Sequence, residues 1–316
     1  MVVVGLILAL AILLVPPVAA MKSMKNMENV GPNAFPIKLQ LGQYGRYFAK
    51  VSIADSNVDC VVDTGSRHLV ISALALPPDV GDIFSPKGEQ VTGPPTLYYG
   101  TQTDYVNWRR ATVDIAGYRR DATFAVTQKR TCQHSGCFNV LGLAAPHRGA
   151  GLPFLRQILP GTPAMTIDFG RNPYLHLGAA KSSSNWFPLI DHGHWFVLGL
   201  HGTYVRRRDG THTQIADATQ LMLDTGSNML GCNPATKEAM ETGLADGDDL
   251  VLLLHDTMGL EIPYVVPSHM YRHRDGSLLV DAHHAQDKML VLGALFMRDR
   301  RFSFDVARGR VGISPA

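Results

Sequence analysis

The hexapeptide Val61-Val62-Asp63-Thr64-Gly65-Ser66 returns 161 positions later as Met222-Leu223-Asp224-Thr225-Gly226-Ser227. A second element follows each copy: Val140-Leu141-Gly142-Leu143 after the first, Val291-Leu292-Gly293-Ala294 after the second. One Asp-Thr-Gly is ordinarily a turn or a strand cap. Two copies with matching companions in the same order read as two related halves, each building the same unit.

The periodicity says what kind of unit. Tyr47 to Ile53 alternates, and Asp59 to Val62 leads into the turn at Asp63. Ala111 to Ile115 turns at Ala116-Gly117 into Ala122 to Val126. The second half continues with Trp195 to Leu200, Thr219 to Leu223, Leu250 to Leu254, Leu278 to Val280 and Arg301 to Asp305. All have the period of strands. Helical spacing is confined to Leu152 to Ile158, Pro234 to Glu241 and Leu292 to Arg298. The 30 glycines and 19 prolines suit a chain of many turns. An all-β fold with a few short helices is therefore expected. Its parts are residues 1–20 (signal peptide or membrane anchor), 21–40 (linker or short N-terminal segment), and two halves, 41–165 and 166–316.

The repeated turn carries chemistry. An apolar strand ending in a carboxylate, followed by Thr-Gly, sets a charge on a tight turn beside the core, where glycine gives backbone freedom and close approach. Thr64 and Thr225 offer hydroxyls and amides to hold the loops, while Ser66 and Ser227 can each donate to an outer carboxylate oxygen. If the two turns meet, Asp63 and Asp224 cannot both ionise with ease, so they share one proton. The ionised member then accepts a proton from a water between them, and the protonated member donates to a substrate carbonyl. Such chemistry needs no metal, cofactor or covalent intermediate.

From about Gly42 to Pro315 the chain resembles the pepsin family of aspartic peptidases. Asp63-Thr64-Gly65-Ser66 and Asp224-Thr225-Gly226-Ser227 match its catalytic loops, and Asn139 to Leu143 looks like its first apolar-apolar-Gly loop. Leu290 to Ser314 follows its C-terminal signature through Val-Leu-Gly-Ala-Leu-Phe-Met-Arg, Phe304-Asp305 and Arg310-Val311-Gly312-Ile313. The resemblance implies a bilobal fold with pseudo-twofold related lobes, 41–165 and 166–316. It implies an endopeptidase that hydrolyses extended polypeptides, with apolar side chains preferred near the scissile bond. Tyr99-Gly100-Thr101 matches the flap that closes over substrate. One chain supplies both aspartates, so a monomer is expected. The competing reading is a pepsin-fold peptide-binding protein with weak or no turnover.

Departures from the family pattern qualify the resemblance. Val70 stands where many members carry a tryptophan that hydrogen-bonds the flap tyrosine. Gln102 replaces a small residue and is expected to narrow subsites or alter flap bonding. Arg67 and His68 add charge beside the first motif. Ala294 takes the place of an aspartate found in many acid-active relatives, so activity should extend toward weakly acidic or neutral pH. The stretch before the first lobe is short, like that of simpler bacterial members without a long prosegment; Lys22, Lys25 and Lys38 read as a solvated linker.

The remaining features bear on location and partners. Val2 to Val18 is an almost unbroken apolar run ending in Val18-Ala19-Ala20, which reads as an export signal to a secreted or periplasmic location. Lys22 and Lys25 follow the run and none precedes it, which keeps a retained membrane anchor, or a start codon placed too early, as alternatives. Cys132 and Cys137 are close enough to be bridged across a turn, in keeping with an oxidising compartment, or are free thiols. Cys60 reads as a small core residue. His192 and His194 with Asp191, and His283-His284 with Asp281 and Asp287, form no established ligand set and read as surface turns. The net charge of +2 and the lack of a basic stripe imply no nucleic-acid partner.

Overall fold

The strand Tyr47–Ile53 buries Tyr47, Ala49, Val51 and Ile53 and turns the residues between them outward, the result its alternation dictates. Its neighbour Ser56–Asp63 begins with the same alternation but ends in four consecutive buried residues. The cause is its position: Tyr47–Ile53 pairs with it antiparallel on one side, and Asn139–Gly142 pairs with it parallel on the other. Asp63 thus sits opposite Gly142 at the end of a central strand.

The computed structural model describes residues 36–53, 56–76, 94–99, 102–132, 137–145, 153–161, 163–190, 195–273, 275–282 and 288–316. The apolar run at the N-terminus, Gly100 and Thr101 of the expected flap, and Asp191, His192, His194, His283, His284 and Asp287 lie outside them. The described chain is mainly β, with two sheets and a few short helices.

The first sheet has eight strands in the order Gln40–Leu41, Tyr47–Ile53, Ser56–Asp63, Asn139–Gly142, Leu69–Ser72, Tyr118–Cys132, Gln102–Ile115 and Thr96–Tyr99. Its longest feature is the hairpin of Gln102–Ile115 with Tyr118–Cys132. Ala116 and Gly117 turn it with φ of 50° and 92°, both left-handed, and the Gly117 N–H donates to Asp114 Oδ1 at 2.7 Å. That is the two-residue turn whose twist matches paired strands.

The second sheet has fourteen strands. At its centre Gln220–Asp224 pairs parallel with Met289–Gly293, which sets Asp224 opposite Gly293. Leu230–Gly231 then pairs antiparallel with Met289–Gly293, as Leu69–Ser72 pairs antiparallel with Asn139–Gly142 in the first sheet. Each aspartate therefore ends a strand whose parallel partner ends in glycine. A Cβ on Gly142 would lie 2.4 Å from the His68 backbone, and one on Gly293 would lie 2.3 Å from the Met229 carbonyl oxygen. Glycine at these positions lets the chain after each aspartate fold back against the neighbouring strand.

Several boundaries differ from those expected. Ala164–Asp168, across the expected boundary between the halves, lies whole within the second sheet. Ile37–Lys38, in the stretch read as linker, pairs with Tyr174–Leu177 in that sheet and buries Ile37. Leu292 and Gly293 are strand, and only Ala294–Met297 forms a short 3-10 helix, because pairing with Gln220–Asp224 holds the chain extended up to Gly293. Pro234–Gly243 is helical, with Pro234 in its first turn and the Thr236 N–H donating to the Asn233 side chain at 2.7 Å.

Candidate active site

The two Asp-Thr-Gly turns meet, and their threonines interlock. The Thr64 N–H donates to Thr225 Oγ1 at 3.1 Å, and the Thr225 N–H donates to Thr64 Oγ1 at 3.1 Å. Each hydroxyl passes its own proton across to the opposite strand, Thr64 to the Leu223 carbonyl at 2.8 Å and Thr225 to the Val62 carbonyl at 2.7 Å. Both threonines are fully buried. Four reciprocal bonds among buried groups fix the two turns face to face, since breaking any one strands a buried donor or acceptor.

This clasp brings the carboxyl groups of Asp63 and Asp224 close enough for each to act on the other's ionisation. Gly65 and Gly226 carry the closeness. A Cβ on Gly65 would lie 2.6 Å from Asp224 Oδ1, and one on Gly226 would lie 2.4 Å from the Asp63 carboxyl carbon. Neither glycine has a left-handed φ, so it is the opposite carboxylate, and not backbone freedom, that requires glycine here.

The loops also cradle their own aspartates. The Gly65 N–H donates to Asp63 Oδ1 at 2.8 Å and the Gly226 N–H to Asp224 Oδ1 at 3.0 Å. The Ser66 hydroxyl donates to Asp63 Oδ2. Ser227 departs from the expected symmetry: its hydroxyl donates to the Met229 carbonyl at 3.3 Å and accepts from the Met229 N–H. Its backbone N–H donates to the Asp224 backbone carbonyl at 3.3 Å.

Burial holds both carboxyls above the usual carboxylate range, and for Asp63 the charge of Asp224 pushes the same way, while the Ser66 hydroxyl and Gly65 N–H oppose it. A close pair with raised affinity for protons retains one proton where isolated carboxyls would have lost both.

Arg46 is a functional neighbour that sequence reasoning missed. Its Nε donates to the Gly226 carbonyl at 3.1 Å, and its guanidinium lies 4.4 Å from the centre of the Phe138 ring. Nη1 is buried with no acceptor among the described residues. Burial lowers the arginine's pKa, and the charges of Asp63 and Asp224 oppose that. The neighbouring turn adds a second tie, with Asn228 Nδ2 donating to the Tyr44 carbonyl at 2.7 Å.

At the expected flap, Tyr98 is exposed and Tyr99 turns inward. Tyr99 packs with Trp108 against Val70, Leu97, Val106, Ala125 and Val140, its buried hydroxyl unpartnered among the described residues. Burial raises its pKa well above the ordinary phenol value, with Asp63 and Asp104 adding to the rise. Gln102 does not project over the site as expected. It is buried, with Nε2 donating to Asp104 Oδ2 at 2.8 Å and to the Phe138 carbonyl at 3.2 Å, and Oε1 accepting from the Phe138 N–H at 3.0 Å. Asp104 is in turn gripped by Arg130 at 2.7 and 3.1 Å. Gln102, which pairs with Tyr99 beside the turn of this hairpin, is thus tied to Asp104 and to the Phe138 backbone. Cys132, paired across the strands with Gln102, is disulfide-bonded to Cys137, beside Phe138. Cys60 and Cys232 are buried free thiols.

The arrangement can hold a water between two carboxyls that share a proton, and it supplies both a base and an acid to whatever carbonyl approaches. No protein-family model matches the chain, and no curated protein matches it.

Proposed function

We propose that this chain is an aspartic endopeptidase of the pepsin type, hydrolysing peptide bonds in extended polypeptides. The observation that carries the reading is the close approach of the Asp63 and Asp224 turns, held by the reciprocal threonine clasp. In the first step, a water between the carboxyls attacks the peptide carbonyl carbon and gives its proton to the ionised aspartate, while the protonated aspartate donates to the carbonyl oxygen. The resulting tetrahedral diol then returns a proton to an aspartate. The peptide nitrogen takes the other proton, the C–N bond breaks, and a free carboxyl and a free amine leave. The dyad ends as it began, with one proton.

The matching strand order around the two aspartates supports two lobes related by a pseudo-twofold axis, with the carboxyls where the axis passes. Tyr99, Gly100 and Thr101 act as a substrate-covering flap in this reading, and Gln102, paired with Tyr99, anchors the strand that leaves it. A single chain completes the site, which fits a monomer. The Cys132–Cys137 disulfide supports an oxidising, secreted or periplasmic location, with tethering through residues 1–20 as the alternative. The Tyr99 hydroxyl, unpartnered among the described residues, favours the second reading, a peptide-binding protein with weak turnover, because no described residue holds that ring in place by a hydrogen bond.

The two readings part on one measurement. Incubated with an unbiased peptide mixture, the parent should cleave internal bonds, and Asp63→Asn and Asp224→Asn should each lower kcat by about a thousandfold or more. Cleavage that survives both substitutions sinks the mechanism; peptide binding without cleavage by the parent selects the second reading.

A further inference from the structure

Away from the carboxyl pair, three adjacent strands of the second sheet bring two imidazoles and a carboxylate to one point on its exposed face. Val197–Arg206 and Glu261–Val266 both pair with Asp249–His255, which lies between them. His255 ends the middle strand directly opposite Glu261, the first residue of its neighbour. His201 enters from the other side at a register shift between Leu200 and Gly202, where the extra residue is free of the ladder. Leu200, Gly202 and Leu254 beside these histidines are buried, so the three polar side chains share the outer face.

We propose that His201, His255 and Glu261 form a zinc-type divalent metal site. His201 Nε2 and His255 Nε2 lie 3.3 and 3.6 Å from the same oxygen, Glu261 Oε1, and all three ligand atoms fall within 4.8 Å of one another. Zinc bound tetrahedrally at its usual 2.0–2.1 Å to nitrogen and oxygen separates its ligand atoms by about 3.4 Å. Both nitrogen-to-oxygen spacings are close to that value. The two rings, centred 5.0 Å apart, need only a small rotation to bring the third spacing in. Two neutral imidazoles and one carboxylate suit zinc or another late first-row cation and not magnesium or calcium, which prefer all-oxygen sets.

A fourth position stays open to water, because each ligand is about half exposed, at 50, 46 and 48%. The ion would tie the strand Glu261–Val266, whose only partner among the described residues is Asp249–His255, to the strand two places away. Such a site stabilises the folded chain, and it stands independently of the peptidase reading. The histidines singled out in the sequence, at 192, 194, 283 and 284, are different ones; strand order selects His201 and His255, which are 54 residues apart and have no local motif.

The test is a zinc titration of the untagged full-length protein at pH 7.5, in competition with a chromophoric chelator. One ion per chain is expected, with a dissociation constant on the order of micromolar for a three-ligand exposed site. The paired change His201→Ala with His255→Ala should weaken binding at least tenfold, and Glu261→Gln less. Zinc should raise the melting temperature of the parent and leave that of the double variant unmoved, while the two proteins melt alike without metal. Cobalt in place of zinc should give the visible bands of a four- or five-coordinate ion in the parent alone. If no stoichiometric zinc binds, the three residues form a surface ion pair only and the proposal is wrong. Equal binding by the double variant overturns it as well, by assigning the ion to other groups.

Discussion

The loops 63–66 and 224–227 have the same four residues and the same threonine and glycine hydrogen bonds, yet they hold their aspartates differently. In the first, the serine hydroxyl donates to the carboxylate; in the second, it turns away to the Met229 backbone. Asp63 is buried, and Asp224 is partly open. The second loop is also the one that receives a turn from the other sheet, with Arg46 on the Gly226 carbonyl and Asn228 on the Tyr44 carbonyl. A repeated sequence therefore fixes the repeated backbone, while the electrostatics of each copy come from what packs against it. The carboxyls become chemically distinct without any change in the motif.

The part of the comparison that is symmetric should be so energetically. Thr64→Val and Thr225→Val keep the shape of the side chain and remove its hydroxyl, leaving one buried N–H without an acceptor and one buried carbonyl without a donor. Each should lower the unfolding free energy by about 1–3 kcal/mol, and by nearly the same amount, since the bonds they break are matched. The double variant should cost less than the sum, because both changes break one network. Denaturant unfolding measures this; a large loss at one position and none at the other would break the equivalence of the loops.

The two turns were legible in the sequence because each is local to its copy of the repeat, with the apolar lead-in, the threonine and the glycine all visible within six residues; the bonds that join the threonines across 161 positions were not. The Ala116-Gly117 turn was legible for the same reason. Arg46 was not, since its partner Gly226 is 180 residues away and nothing near Arg46 marks it as anything but a strand-edge cation. Gln102 was misread as a substrate-side residue. The strand period held the clue, as residues 102 and 104 share a face, and a buried Asp104 paired with Arg130 makes that face an interior one. The helix expected over Leu292 to Arg298 began two residues too early, in an apolar run that helix and buried strand explain equally well. Only the parallel pairing with Asp224 decides it.

The dyad also sharpens the contrast with ordinary surface carboxyls. Both aspartates have folded-state pKa values raised above the ordinary 3.8, so the folded chain binds protons more tightly than the unfolded one. Stability contributed by these protons is fully present below the unfolded value and is lost as pH climbs through the folded values. Asp63→Asn removes that dependence. Its melting temperature should match the parent's near pH 3.5 and exceed it at pH 7.5. Asp224→Asn should behave alike, and a variant less stable than the parent at pH 7.5 would show that the carboxyls are not strained by their shared burial.

The smallest expected effect is the most direct probe of the asymmetry. The Ser66 hydroxyl favours ionised Asp63, so Ser66→Ala should raise the lower apparent pKa of the dyad and move the acid limb of the kcat/KM profile upward. Arg46→Met removes a cation whose charge acts on both carboxylates and should move the limb in the same direction. Ser227→Ala should leave it in place, because that hydroxyl serves the Met229 backbone. At the pH optimum the first two changes should cost about tenfold or less in rate, the scale of one charge-assisted hydrogen bond, and the third almost nothing. The reading of the loops as electrically distinct stands or falls on that ordering: equal shifts from the two serine variants would mean that both hydroxyls reach their carboxylates in the working protein.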